Sequence, residues 1–383
     1  MKKTLGLSFR ALGLFIKALG LSLIVLIGYL LFWPINIEPE AWHAPQNQGY
    51  QGDFVVNQRL ADFERVELDG LHGPEAITQD AQGIFYASTH EGWIMRWNKD
   101  DQVTQKWLNV GGRPLGLAFG PNGDLWVANA YLGLMRITPD GDVTIPVTTT
   151  NGVKVRYADD VVVASNGKVY FSDATTKFSA RDIGDTLAAS LLDLMEHGRH
   201  GRVIEYDPAT QQSREVLTGL SFANGVTIDP QGDFLLIVET GEYRVIKYWL
   251  NGPKRGSQEV VIDNLPGFPD NIHVGHNGYY WIGLTAPRSE VLDKLSNQPF
   301  LRKVIQRLPA FMRPNVAPYG MVIAIDGRGN VIENLQDPSG QVYASTGAHE
   351  SEEFLYVSSL TADFIARYKR SQFDRIELQN VSE

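Results

Sequence analysis

The chain has 383 residues, 44 acidic against 34 basic side chains for a formal net charge of −10, and no cysteine. That balance, without a basic tract beyond the N-terminus, argues against a nucleic-acid partner, and the missing thiols exclude disulfides, thiolate nucleophiles and thiolate metal ligands. The length is ample for one large domain with a substantial core.

Lys2, Lys3 and Arg10 precede Ala11 to Trp33, whose only charge is Lys17. At about 1.5 Å per residue this run can cross a hydrocarbon core of roughly 30 Å, and Lys17, near the basic end, can snorkel. A cleaved signal peptide would want a shorter apolar run and a small-x-small site, and Phe32-Trp33-Pro34-Ile35-Asn36 offers none. The expected organisation is a cytoplasmic N-terminus (1–10), a transmembrane anchor (11–33), a mostly polar linker (34–52) and a folded domain (53–383) held in the periplasm or a lumen. A lone sequon, Asn380-Val381-Ser382, adds little.

Beyond the linker one pattern recurs six times: GPEAITQDAQGIFYAS from Gly73, RPLGLAFGPNGDLWVANA from Arg113, YADDVVVASNGKVYFSDA from Tyr157, SFANGVTIDPQGDFLLIVET from Ser221, FPDNIHVGHNGYYWIGLT from Phe268 and a degraded YASTGAHESEEFLYVSSL from Tyr343. Each is a polar lead-in, an alternating strand, a Gly- or polar-rich turn and a returning strand, hence a β-hairpin. Most are followed by a further strand. A period of roughly 40 to 50 residues built from short strands is the signature of propeller blades. The prediction is an all-β, six-bladed β-propeller with helical insertions and an N-terminal transmembrane helix; a β-sandwich has no reason to repeat a hairpin together with its lead-in. The long gaps after Thr176 and Thr285 carry helical patterns and read as insertions. In the second, Leu292, Leu295, Leu301, Ile305, Leu308 and Met312 fall at helical spacing with Lys294, Arg302, Lys303 and Arg307 between them. Such an amphipathic pair packs on the rim, or acts as a lid or interfacial surface giving apolar substrates a path from the membrane.

The innermost strand of each propeller blade lines a central channel, so the strand starts meet around one axis. Here they carry Glu75, Asp159 with Asp160, Asn224, and Asp270 with Asn271. Carboxylates and amides without Cys or His describe a hard-cation site; calcium takes about six to eight oxygens in a flexible shell, whereas magnesium prefers to keep several waters. Asx turns would explain any one Asp or Asn, but glutamate forms no such turn, and Glu75 stands between Gly73-Pro74 and Ala76-Ile77.

The words Gly73-Pro74-Glu75, Tyr170-Phe171-Ser172-Asp173, Gly201-Arg202 leading into Glu205-Tyr206-Asp207, Phe222-Ala223-Asn224-Gly225 and Pro269-Asp270-Asn271-Ile272 resemble the strictosidine synthase-like branch of the six-bladed propellers that include the gluconolactonase (regucalcin) and paraoxonase enzymes. The resemblance covers nearly the whole chain, anchor included. It implies a calcium ion in the channel, held by Glu75, Asp159, Asn224, Asp270 and Asn271. Three departures stand out: Asp159 where the family usually has Asn, Leu115 where the paraoxonases have a histidine, and a position near Thr346 or Gly347 where strictosidine synthase has its glutamate. The last disfavours alkaloid condensation.

The resemblance and the oxygen-rich lead-ins together suggest hydrolysis of a small ester or lactone, with Asp270 and Asp159 as candidate bases or nucleophiles and Asp173 behind them. His349, beside Glu350 in the last lead-in, is a further candidate base, and His72 a weaker one. No G-x-S-x-G elbow or Ser-His-Asp spacing is present. A non-catalytic propeller that binds a ligand or protein around a structural calcium is the alternative.

Overall fold

The computed structural model describes residues 2–275, 278–313 and 316–373, with side chains from Leu12 onward; the sequon at 380–382 lies outside them. Six four-stranded antiparallel sheets make up the body of the chain. From the innermost strand outward, blade I joins Ile77–Gln79, Phe85–Ser88, Trp93–Trp97 and Gln105–Asn109, and blade II joins Pro114–Phe119, Leu125–Asn129, Gly133–Ile137 and Val143–Val147. Blade III joins Ala158–Val163, Val169–Asp173, Gly201–Asp207 and Gln212–Leu220; blade IV joins Ala223–Ile228, Phe234–Glu239, Arg244–Trp249 and Gln258–Ile262. Blade V joins Gly267–Val274, Tyr280–Pro287, Gly320–Ile325 and Val331–Asp337. Blade VI takes Ser345–Glu350, Phe354–Ser359 and Phe364–Lys369 from the end of the chain, and its outermost strand, Glu64–Glu67, from the beginning. The predicted propeller is thus present, and a strand from outside the six repeats closes its ring, with Arg367 donating to Glu64 at 2.7 Å and Arg65 paired with Asp363.

The first hairpin of each blade turns on local chemistry. In blade I the Asp80 carboxylate accepts from the Gln82 and Ile84 amides, with Gly83 at φ +84°; in blade IV Asp229 accepts from Gln231, Asp233 and Phe234, with Gly232 at φ +77°. A side-chain acceptor followed by a left-handed glycine is what lets so short a loop reverse.

The apolar interior is a ring of seams rather than one core. Tyr86 and Ile94 of blade I pack with Leu125 and Val127 of blade II; Trp126 of blade II packs with Phe171 and Ile204 of blade III; and the alternation continues around the ring to blade VI, whose Tyr356 meets Phe85 and Trp97 of blade I. Each strand alternates its side chains between the two seams that flank its sheet, so the axis is left to polar groups.

Because successive strands are antiparallel, the lead-ins to the inner strands and the connections between second and third strands lie at one end of the propeller. Both helical insertions are connections of that kind. The first holds α2 (Ala180–Ile183) and α3 (Thr186–Glu196); the second holds α4 (Glu290–Lys294) and α5 (Pro299–Gln306). The apolar helix α1 (Lys2–Phe32) contains 21 consecutive residues, Leu12–Phe32, long enough to cross a bilayer and wholly unburied by protein, as a single-pass anchor requires.

The segment after α1 is packed. Ile37 and Trp42 are buried, and the backbone amides of Glu40 and Trp42 donate to the carbonyls of Glu196 and Ser296, one in each insertion. Arg302 donates to the carbonyl of Glu40, Arg288 to Pro45 at 2.7 Å, and Arg307 to Trp33 at 2.6 Å and Leu30 at 3.0 Å. The mostly polar composition of 34–52 reflects a chain that seats few side chains and is held through both its backbone amides and its carbonyls.

Candidate metal and active site

The inner strands share one irregularity. In blades II to VI the register slips between Pro114 and Leu117, Ala158 and Val161, Ala223 and Val226, Pro269 and Ile272, and Ser345 and Ala348. Each slip is a β-bulge, and the residues inside are Leu115-Gly116, Asp159-Asp160, Asn224-Gly225, Asp270-Asn271 and Thr346-Gly347; in blade I, Glu75-Ala76 stand just before the strand. The lead-in words of the sequence are therefore bulges, which re-aim side chains toward the axis.

Small residues in the bulges let the inner strands close up. A Cβ on Gly116 would lie 2.5 Å from Oδ1 of Asp160, and one on Gly225 2.5 Å from the amide of Ile272. Polar residues at the ends of second strands fix the lead-ins. Asn129 accepts from the Arg113 amide at 3.1 Å, Asp173 from those of Arg156 and Tyr157 at 3.1 and 2.9 Å, and Glu239 from that of Ser221 at 2.8 Å. Asp173 is in turn held by buried Arg202 at 2.9 Å, so it positions the strand carrying Asp159.

Glu75, Asp159, Asn224, Asp270 and Asn271 are all buried, and the structure links them across the axis. The Glu75 carbonyl accepts from Asn271 Nδ2 at 3.2 Å and from Thr346 Oγ1 at 2.7 Å. Burial, then the charges of Asp270 and Glu75, pushes the Asp159 carboxyl well above the usual range; burial and Glu75 do the same to Asp270, against hydrogen bonds from the Asn271 backbone and the Asn224 amide. Asp160 accepts from Val226 N in blade IV at 2.9 Å and from Val161 N at 2.8 Å, and burial still raises it to about 7.

Three oxygens in this group, Oδ1 of Asn224, Oδ1 of Asp270 and Oδ1 of Asn271, are buried without any hydrogen-bond partner. Orphaned buried acceptors are costly and rare, and three on adjacent bulges fit a cation with oxygen ligands. Among the described residues no three His, Asp or Glu side chains gather closely enough to hold a metal by themselves, so any cation here depends on the amide oxygens.

One participant is invisible in the motifs. Arg113 is fully buried, donating to Glu75 Oε2 at 2.8 Å and to the Gly73 carbonyl at 3.1 Å. Leu115 shares an apolar cluster with Tyr157, Phe222, Phe178 and Ile37 of the packed segment.

His349 lies further along the inner strand of blade VI, its ring edge-on to Phe85 at 5.9 Å, in the seam with blade I. His72 is half-exposed, paired with Glu91 and stacked on His90. His273, which the motifs did not single out, is pushed by burial down to about 4. The structure thus brings the five oxygen donors together and sets both candidate histidines apart from them. A hydrogen-bonded chain Ser221–His197–Glu242 also exists, with contacts of 3.2 and 3.1 Å, but Ser221 is fully buried and out of a substrate's reach.

The chain matches the strictosidine synthase family over residues 159–253 and the N-terminal region of strictosidine synthase-like proteins over residues 52–97. It is 33% identical over 388 residues to the adipocyte plasma membrane-associated protein of Bos taurus, covering 95% of this chain and 92% of that one. Among solved structures it is similar to a gluconolactonase from Xanthomonas campestris (TM-score 0.59, 14% identity, 88% and 96% of the two chains) and to a calcium-binding protein, regucalcin, from Agrobacterium tumefaciens (TM-score 0.53, 14% identity, 79% and 92%). Those two likenesses show a shared fold; the match along nearly its whole length shows that the chain belongs to the strictosidine synthase-like family, with the adipocyte plasma membrane-associated proteins.

Proposed function

We propose that this protein is a membrane-anchored, calcium-dependent hydrolase of small esters or lactones, acting at the bulge end of the central channel. The observation that carries the reading is the set of three unpartnered oxygens on Asn224, Asp270 and Asn271, beside Asp159 and Glu75. Charge supports it: burial and the mutual repulsion of Asp159, Asp270 and Glu75 make their ionised forms costly, and a divalent cation would relieve that cost. The gluconolactonase and the calcium-binding regucalcin on the same fold make the chemistry a natural one for it.

When bound, calcium would supply a Lewis acid for a substrate carbonyl oxygen. The chain's own residues do the rest. Asp270 would hold the cation through Oδ1, and Asp159, raised by burial and then by the charges of Asp270 and Glu75, can take a proton from water and return it. Arg113 keeps one oxygen of Glu75 engaged, and Asp173 holds the lead-in of Asp159 through the Tyr157 amide. His349 is a base only for a substrate that reaches the seam with blade I.

The basic residues before the span support a topology with residues 1–10 in the cytoplasm and the propeller in the periplasm or a lumen. Protease added outside intact cells should digest the propeller; digestion only from the cytoplasmic side would refute this topology.

The decisive experiment measures hydrolysis of an aryl ester and a lactone panel by the full chain in detergent, with metal content determined before and after chelation, for wild type and Asp270→Asn. Turnover lost with the metal, restored by calcium and absent in the variant supports the reading; full activity in the variant overturns the assignment of Asp270. Bound calcium without turnover on any substrate would establish the second reading, a ligand-binding propeller, which Leu115 favours because it puts an aliphatic side chain where the paraoxonases have a histidine.

A further inference from the structure

The second insertion is built inside out. The spacing of its leucines predicts an apolar face turned to the propeller with arginines in solvent, yet Arg302 and Arg307 are 0% and 8% exposed while Phe311 is 87%, Met312 56%, Phe300 55% and Leu301 41% exposed. The inward arginines are satisfied. Arg302 donates to the carbonyls of Met195, Glu40 and Ser296, and Arg307 to those of Leu30 and Trp33. Leu292 is buried and Ile305 and Leu308 are half-buried, but where guanidinium groups on backbone carbonyls occupy the inner side, Phe300, Leu301, Phe311 and Met312 are left outside.

What covers them is indicated by what Arg307 holds. Leu30 and Trp33 are the end of α1, and the Arg307 carbonyl accepts in turn from Tyr29 at 3.1 Å. The exposed patch is therefore fixed by three hydrogen bonds beside the point where the apolar helix ends, and Lys303 follows Phe300 and Leu301 on α5. Apolar side chains followed by a lysine, beside the end of a membrane-spanning helix, have the composition of a surface seated at the headgroup boundary.

We infer that the outer face of this insertion, through Phe300, Leu301, Phe311 and Met312, is embedded in the interfacial layer of the same bilayer that α1 crosses. The inference rests on α1 being a membrane anchor and is independent of whether the channel hydrolyses anything. Because the insertion lies at the lead-in end, it turns the channel mouth toward lipid, so that apolar ligands would enter from the membrane.

The absence of cysteine makes the test clean. Phe300→Cys, Phe311→Cys and, as a control in the opposite-end loop of blade II, Asp140→Cys are spin-labelled on the full chain in phosphatidylcholine–phosphatidylglycerol nanodiscs, and collisions with oxygen and with a water-soluble nickel chelate are compared. The expected result is high oxygen and low nickel accessibility at 300 and 311, at a depth of about 5–10 Å, with the reverse at 140. Nickel accessibility at 300 and 311 equal to that at 140 would overturn the inference. Protection from both reagents would overturn it too, since it would mean that protein, such as a second copy of the chain, covers the patch. Asp140 controls for labelling, and the substituted aromatics are exposed, so misfolding does not confuse the outcomes.

Discussion

Asp160 makes the sharpest test of the channel's electrostatics. Burial raises its carboxyl from 3.8 to about 7, against the two backbone amides of Val226 and Val161 that favour the charged form. A raised acid is a stabilising feature only while protonated: the contribution is complete below about pH 4 and is lost as pH climbs through 7. At about 1.4 kcal/mol per pH unit, a shift of roughly three units corresponds to about 4 kcal/mol. Asparagine resembles the protonated acid in shape, but its amide nitrogen, unlike the acid's hydroxyl oxygen, cannot accept from the second backbone amide. In chelator, urea unfolding should therefore find Asp160→Asn less stable than wild type near pH 4, by about 1–3 kcal/mol for one unsatisfied buried amide, and the difference should swing by up to about 4 kcal/mol toward the variant by pH 7.5. If the difference does not swing toward the variant by pH 7.5, two charge-assisted hydrogen bonds, each worth about 1.5–3 kcal/mol, outweigh the burial cost, and the reasoning fails.

Calcium at about 100 times its dissociation constant should raise the unfolding free energy by about 2.7 kcal/mol and flatten the pH dependence; removing Oδ1 with Asn224→Ala or Asn271→Ala should weaken calcium binding by calorimetry, and unchanged affinity would remove those oxygens from the site. Arg113→Met leaves Glu75 buried without its partner and should cost about 3–5 kcal/mol in urea unfolding; a neutral outcome would mean that Glu75 is already protonated. Trp42 is stacked on His197 at 4.0 Å and packs in the apolar cluster of blades IV and V, so Trp42→Ala, a change typically costing about 3–5 kcal/mol, should speed proteolysis within 34–52; unchanged cleavage would show that the arginine contacts alone hold the segment.

The blades were legible because each repeat carries its own local reasons: Asp80 with Gly83 and Asp229 with Gly232 write their turns into the sequence, and Glu75, Asn224 and Asp270 announce the axis. What escaped is what depends on tertiary neighbours. Arg113 looks like any surface arginine until Glu75 is found opposite. Periodicity shows that a helix has two faces but not which one is inward, so the burial of Arg302 and Arg307 is not legible in it. The strand Glu64–Glu67 has the burial pattern of an edge, with only Val66 covered, and four residues with one apolar position give no signal of blade membership.

That strand sets the order of events in biosynthesis. Its partner, Phe364–Lys369, is the last strand of the propeller to be made, so Glu64–Glu67 must wait beside the anchor with its hydrogen-bonding edge bare while some three hundred residues emerge. Until then the growing ring has two open ends, each a template for wrong pairing. A premature stop before Phe364 would thus do more than shorten the last blade: it would leave both ends unclosed, next to a membrane crowded with other nascent chains.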